Sequence, residues 1–387
     1  MEGDVWMKGY FRKRGARWSF TLDIGRDEKT GKRKQKTVSG FSTKKEAQAA
    51  AADLIAKFEQ GQYVEPSKVT VNEFLGDYMS VHYRSSVRPG TLERAEHMLK
   101  NHITPAFGHA MMKNLKPLHF QRFYAEKSEA GLSPGTIKGM HTFLVTAMEM
   151  AVTWELLPNN PARRAKPPKQ QQHTISVWSH EESEMFLQHA KGVSSYYLIF
   201  LVALYTGMRK GEILGLRWDD IDFEAKTIYV NQSLTYSLKE LRISEPKTKS
   251  SKRAILTPVH VLQELKKHRL RQKEIKLKLG TGYDNALAEK YVFTTSKGNF
   301  IYPQVLNKAL VKLCKELELS PIRFHDLRHT HATMLLSLGV NPKIVSERLG
   351  HTSIVITLDT YSHVLPAMQE EMVTNLETAI SKIQTVL

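Results

Sequence analysis

The stretch Pro321-Ile322-Arg323-Phe324-His325-Asp326-Leu327-Arg328-His329-Thr330 crowds guanidiniums and imidazoles into ten positions. Apolar Leu327, Met334, Leu335 and Leu338 predict a helix over Asp326 to Leu338, so His325 and Arg328, three apart, project from one face. A guanidinium offers a planar fork of donors that fits phosphate oxygens two at a time, and an imidazole gives or takes a proton near neutral pH. Together they are equipment for work on a phosphate. A lone His-x-x-Arg pair describes a solvated helix face equally well, so its meaning depends on what else the chain carries.

Matching parts do occur elsewhere. Upstream lies Tyr205-Thr206-Gly207-Met208-Arg209-Lys210-Gly211-Glu212, and downstream lie Leu349-Gly350-His351 and the tyrosine of Leu358-Asp359-Thr360-Tyr361-Ser362-His363. In these stretches the chain resembles the tyrosine recombinase, or phage integrase, family. That family has an arginine in a Thr-Gly-x-Arg-x-x-Glu box, a lysine on a β-hairpin, a His-x-x-Arg box, a Leu-Gly-His step and a tyrosine about ten residues later. Arg209, Lys249, His325, Arg328, His351 and Tyr361 match these positions in order, over roughly residues 178 to 365.

The resemblance implies a site-specific DNA recombinase that joins Tyr361 transiently to a DNA 3′ phosphate. Arg209 and Arg328 would neutralise the nonbridging oxygens, and His351 would donate a hydrogen bond to one of them. His325 is the candidate proton acceptor for the tyrosine. Lys249 would protonate the departing 5′ oxygen, although Lys247 and Lys252 share its turn. Such chemistry needs no cofactor or metal. Glu212 with Asp219, Asp220 and Asp222 suits a Mg²⁺ nuclease poorly, because the acids crowd one turn. His325-x-x-x-His329 has zinc-like spacing but no evident third ligand. Two alternatives remain open at this stage: a topoisomerase or resolvase using the same tyrosine, and a catalytically silent DNA-binding regulator on the same scaffold.

Composition bounds the rest. A chain of 387 residues exceeds one ordinary core, and 41% hydrophobic with 25% charged residues is a globular balance. The formal charge of +17 and a pI near 9.6 favour an anionic partner, nucleic acid first. With no secretory signal and no stretch near the roughly 18 apolar residues of a membrane span, the expected location is cytoplasmic, with no membrane partner. Cys314, the single cysteine, falls in the apolar pattern of Leu310, Leu313 and Leu317 and reads as core.

The elements predict a multidomain α+β chain. Residues 1–62 read as a small three-stranded sheet plus a helix capped by Thr43-x-x-Glu46, crowded with Arg12, Lys13, Arg14, Arg17, Lys32, Arg33, Lys34 and Lys36. The resemblance makes this an arm-type DNA-binding domain. Residues 66–160 read as an all-α domain opened by Thr70-x-x-Glu73, with further helices over Thr91 to Ile103, Pro117 to Ser128 and Pro134 to Leu156. It resembles the family's core-binding domain. Residues 161–175 form a basic, proline-rich linker in which Arg163, Arg164 and Lys166 could track phosphates.

Residues 176–387 form the mainly helical catalytic domain with a small sheet. Within it Ser179-x-x-Glu182 caps a helix, Gly207 ends the apolar helix of Tyr196 to Tyr205, and strands lie near 227–230, 241–244 and 253–256, with the lysine turn between the last two. The tail repeats Met368, Met372, Leu376, Ile380 and Ile383 as an amphipathic helix. Expected partners are double-stranded DNA attachment sites, three further copies in a homotetramer, and accessory directionality or DNA-bending factors.

Overall fold

The computed structural model describes residues 10–26, 31–59, 68–169, 176–237, 240–245 and 252–361. It divides into two compact units, Met1–Gln171 and Gln172–Leu387. Lys247, Lys249 and the tail after Tyr361 lie outside the described residues.

In the first unit, strands β1 (Tyr10–Arg14), β2 (Arg17–Arg26) and β3 (Arg33–Phe41) form an antiparallel sheet in the order β1-β2-β3. Period-two alternation gives it one apolar face, on which Phe20, Leu22, Ala47 and Ala51 are buried beneath helix α1 (Lys44–Glu59). The expected cap of α1 is half reciprocal. Thr43 Oγ1 accepts from the Glu46 amide, while Glu46 reaches back to the amide of Ser42.

A helical bundle follows, with a core that includes Phe74, Tyr78, Phe120, Phe123 and Leu144. Helix α2 (Val71–Asp77) opens with the full Thr70–Glu73 capping box. Helices α3 (Pro89–Met98), α4 (Pro117–Glu129) and α5 (Pro134–Thr153) each begin on a proline, whose fixed φ and missing N–H suit a first turn. Beyond α5 the basic run is no free tether at first. Ala162 and Ala165 are buried in the bundle core, and Gln121 exchanges two hydrogen bonds with the backbone of Lys166. A plain proline-rich reading misses this because two alanines carry little apolar signal.

The second unit is built round helix α7 (Tyr197–Thr206), apolar on every side and packed by α6 (His180–Val193), α9 (Val259–Leu279) and α11 (Asp326–Ser337). A helix hydrophobic all round belongs in a core. Helix α6 carries the Ser179–Glu182 capping box, and α8 (Lys210–Leu214) follows α7 after a short break. Strands β4 (Ile221–Asp222), β5 (Thr227–Val230) and β8 (Arg253–Leu256) make one antiparallel sheet. Strands β6 (Ser233–Ser237) and β7 (Glu240–Ser244) make a separate two-stranded ribbon.

The sequence places a turn between strands at 241–244 and 253–256; in the structure these pair with other partners, so the lysine segment joins two sheets instead of closing a hairpin. Helix α10 (Pro303–Glu316) buries Cys314 with Leu306, Leu310 and Leu313, and α12 (Pro342–Leu349) and α13 (Ile354–Tyr361) complete the described chain. Among the described residues no helix is long and apolar enough to cross a membrane.

Gly207 ends α7 at φ 64°, the left-handed cap that glycine adopts without strain. A Cβ there would also lie 2.7 Å from both His331 Cδ2 and Leu349 Cδ2. Gly207→Ala is therefore expected to destabilise the second unit by about 2–3 kcal/mol, backbone strain and overpacking acting together. Calorimetry of the full chain should show its transition lowered by several degrees, and an unchanged midpoint would contradict this account.

Candidate active site

Three helix ends meet around one carboxylate. Glu212, on α8 and 4% exposed, takes Arg209 Nη1 at 2.8 Å and Arg253 Nη2 at 2.8 Å. Burial opposes its charge, but the hydrogen bonds and charge of Arg253 and the nearby Arg209 outweigh it and hold the carboxyl below its usual range. Arg209 is the N-cap of α8 and keeps its side chain partly open to solvent, with Nη2 donating to the carbonyl of Gly350 at 3.2 Å. Strand β8 supplies Arg253, whose Nε also donates to the Arg348 carbonyl at 2.6 Å.

Arg328 is 2% exposed and is aimed by two carbonyls, Nη1 donating to Gly207 at 2.8 Å and Nη2 to Leu349 at 2.5 Å. Both acceptors sit at helix C-terminal ends, where the peptide dipoles favour a cation. Burial first, then Arg209 and Arg253, bring its pKa down to about 9, so it stays charged at neutral pH. Two guanidiniums thus share one buried carboxylate while Arg328 stands near it on carbonyls alone, an excess of positive charge that a phosphate would balance.

The imidazoles around them are neutral. Burial, then Arg328 and Arg209, press His351 down to about 4, and its Nδ1 hydrogen-bonds Thr357 Oγ1 at 2.8 Å. With Thr357 donating, the proton sits on Nε2, as a donor to a phosphate oxygen requires. His325, the N-cap of α11, shows an edge to solvent, yet the protein beneath it, then His329 and Arg328, push it down to about 4. Water at that edge softens the shift without changing its direction.

Tyr361 ends α13 with its ring 1% exposed among Ala332, Leu336, Val345 and Leu349. Burial drives its hydroxyl pKa upward, and the charge of Arg328 pulls the other way. Its hydroxyl lies 2.7 Å from Nδ1 of His329, not on His325.

Of the six positions matched from sequence, Arg209, Arg328, His325, His351 and Tyr361 come together in this unit, and Lys249 lies outside the described residues. Lys252 is described, 4.0 Å from Glu245 Oε2. The acids weighed as metal ligands are otherwise engaged. Asp220 is paired with Arg217 and Asn231, Asp222 Oδ1 caps the amides of Glu224 and Ala225, and Glu212 holds its two arginines.

Sequence reasoning missed Arg253, His331 and Arg348. His331 donates from Nδ1 to the Leu204 carbonyl at 2.7 Å and accepts at Nε2 from Arg348 Nε at 3.1 Å. Arg348 in turn ties the carbonyls of Leu256 and Tyr205. This bracket fixes the end of α12, and with it Gly350 and His351. A charged residue that will be buried looks in sequence like one that faces water; only the spacing of Arg348 three before His351 hinted at it.

The basic residues read as DNA contacts are sorted by the pleat. Arg12, Arg14 and Arg17 line a shallow groove on the open face of the first sheet with Tyr10, Ser19 and Thr37. Lys36 pairs across from Leu22 and shares the helix-covered side with Lys34, and Lys13 pairs across from Trp18. Lys32 is exposed before β3, and Arg33 forms an ion pair with Asp23. In the basic run Arg163 meets Glu149 at 2.6 Å, and Arg164 and Lys166 are exposed.

A helical unit that gathers guanidiniums, neutral imidazoles and a tyrosine in one place carries the groups that phosphoryl transfer uses. Comparison with known proteins sharpens this. Residues 177–368 match the phage integrase family, residues 10–58 an arm DNA-binding domain, and residues 70–128 the N-terminal SAM-like domain of phage integrases. A tyrosine recombinase described as XerC-like from Caldanaerobacter subterraneus is 35% identical over 92% of this chain and 94% of its own.

The chain belongs to the phage integrase family of tyrosine recombinases, and it is an enzyme of site-specific DNA recombination. Solved structures share the fold. A Tn1549 transposon integrase in complex with transposon right-end DNA covers 79% of this chain and 100% of its own at 22% identity, with a TM-score of 0.68. A lambda integrase tetramer bound to a Holliday junction covers 93% of this chain and 96% of its own at 18% identity, with a TM-score of 0.57.

The bracket gives a pH expectation. Burial, then Arg348, lower His331 to about 3, against an ordinary value near 6.5 in the unfolded chain. Its contribution to stability is therefore complete above about pH 6.5 and is lost as pH falls towards the folded value. Nitrogen NMR of the His331 ring should show the neutral Nδ1–H tautomer down to pH 5 or until the second unit unfolds. A ring that titrates near 6.5 in the folded protein would refute this.

Proposed function

We propose that this recombinase cuts and rejoins a double-stranded DNA attachment site through Tyr361, with four copies acting together on paired sites. The observation that carries the reading is the meeting of Arg209, Arg328, His351 and Tyr361 in one unit of one chain. The tyrosine Oη attacks phosphorus, the Oη–P bond forms, and the P–O5′ bond breaks. Energy of the severed link stays in the phosphotyrosine ester, ready for rejoining. Arg209 and Arg328 stabilise charge on the nonbridging oxygens, a task worth on the order of 10²–10³ in rate per donor by analogy with oxyanion sites. Lys249 hands a proton to the departing 5′ oxygen.

Arm-type DNA sites lie on the open face of the first sheet, through Arg12, Arg14 and Arg17. A sheet ribbon fits a major groove, and arginines there meet phosphates and base edges. Arg164 and Lys166 add phosphate contacts near the core site. Accessory directionality or DNA-bending factors set the balance of integration and excision, which takes place in the cytoplasm of the host cell.

Two measurements test this. A cognate site is recovered from a random-sequence duplex pool by binding to the full chain and is then nicked beside the cleavage position. Without metal, the wild type should leave a denaturant-resistant protein–DNA adduct; Tyr361→Phe should bind equally and leave none. An adduct surviving in Tyr361→Phe would remove Tyr361 as nucleophile. For the sheet, replacing Arg12, Arg14 and Arg17 by alanine should weaken binding to an arm-site duplex and reduce the slope of log affinity on log salt by about one per lost phosphate contact. An unaltered slope would place the arm DNA elsewhere.

A further inference from the structure

We infer that His329, not His325, is the proton partner of Tyr361: it accepts the phenolic proton as Oη attacks phosphorus and returns it when the strand is rejoined. The inference rests on the reading of Tyr361 as nucleophile. It begins from the contact already described, in which Tyr361 Oη sits 2.7 Å from His329 Nδ1. No other side chain is bonded to that hydroxyl among the described residues. His325 stands one turn earlier on α11 and meets His329 edge to face, ring centres 4.9 Å apart. It therefore touches the proton acceptor rather than the proton.

The chemistry fits the contact. A neutral imidazole accepts at one nitrogen only, and a phenol donating to Nδ1 leaves the ring proton on Nε2. Burial, opposed by Asp326, and then the charges of Arg328 and Arg323 keep His329 below its ordinary value, so the ring is uncharged at neutral pH and able to accept. The groups facing His329 are His325, Asp326, Arg328 and Arg323 from its own helix and its approach, and Tyr361 from α13.

Geometry also links the pair to the phosphate's proposed anchor. Arg328 and His329 are consecutive on α11, so the phosphate's anchor and the tyrosine's partner ride on one rigid element. The Tyr361 ring is 1% exposed, and an incoming phosphate reaches Oη only when the end of α13 shifts. On attack the Oη–P bond forms, the proton passes from Oη to His329 Nδ1, and the P–O5′ bond breaks with a proton from the separate general acid. In rejoining, the 5′ hydroxyl displaces the tyrosine and His329 gives the proton back.

The test measures single-turnover adduct formation on the nicked duplex across pH 5 to 9, comparing wild type, His329→Gln and His329→Ala. Glutamine can accept a hydrogen bond from the phenol but cannot take its proton, so it separates holding from transfer. Both variants should bind the duplex as the wild type does and cleave about 10²–10⁴-fold more slowly near neutral pH, the usual worth of a general base. Their rates should keep climbing at alkaline pH, as the phenol ionises unaided. A duplex with sulfur in place of the 5′ bridging oxygen supplies the second readout. Sulfur leaves without a proton, so it rescues loss of a general acid but not loss of a base.

His329→Gln cleaving within about threefold of wild type would reduce His329 to a tether and overturn the proposal. So would a deficit erased by the sulfur duplex, which would make His329 an acid. Should His329→Ala fail to fold, the glutamine variant alone decides. Failure of the nucleophile reading looks different, because Tyr361→Phe would then still form adduct.

Discussion

Positive charge held at the ends of helices is the constraint round which the second unit is organised. Arg328 is buried without a carboxylate against it, an arrangement that ordinarily costs several kcal/mol. What meets its fork are the carbonyls of Gly207 and Leu349, the closing residues of α7 and α12. Arg209 takes the next carbonyl, of Gly350, and Arg348 takes that of Tyr205. Each of these carbonyls lacks a partner within its own helix, so capping and site building are one operation. The fold is secured by the same guanidiniums that the proposed reaction uses, and Gly207 presents its carbonyl to Arg328 from a left-handed turn in which a Cβ would press against His331 and Leu349.

The same charge sets the protonation of everything nearby. His351, His325 and His329 all lie below the ordinary imidazole value, with burial the leading cause and neighbouring arginines among the further ones. An imidazole so placed is a weak base while the site holds only cations. On the proposed function, a phosphodiester anion between Arg209 and Arg328 would cancel part of that field and restore basicity to the rings when there is a proton to be moved. Substrate binding and base strength would thereby be coupled through electrostatics.

Much of this was legible in the sequence, for identifiable reasons. Capping boxes at Thr70 and Ser179, and the glycine at 207, are local signals and appear where the residues predict them. The α+β architecture and the family membership follow from ordered motifs spread over most of the second unit. Less visible were contacts between elements far apart in the chain. Arg253 reaches back 41 positions to Glu212, and Arg348 reaches 143 to Tyr205; no periodicity encodes either. The β6–β7 ribbon was missed because β6 was not read as a strand, and without it β7 was left to pair with the next strand, β8, which pairs instead with β5. His329 was passed over because its spacing from His325 suggested a metal pair, whereas the helix uses that spacing to set one ring edge to face against the other.

Arginine serves two opposite purposes in this chain, and burial decides which. On the first sheet, Arg12, Arg14 and Arg17 stand on an open, exposed face, where on the proposed function each guanidinium would add a phosphate contact whose worth falls with salt as counterions compete. Such residues give affinity and little chemistry, and their exact rotamers matter little. In the second unit Arg328 and Arg253 have been stripped of water and fixed by carbonyls and by Glu212, so the cost of desolvation is met during folding rather than at each encounter with DNA. A preorganised charge of that kind stabilises a transition state without reorganising. On the proposed function one residue type would serve both for finding DNA and for cutting it, the difference lying in what the backbone around each guanidinium has been folded to offer.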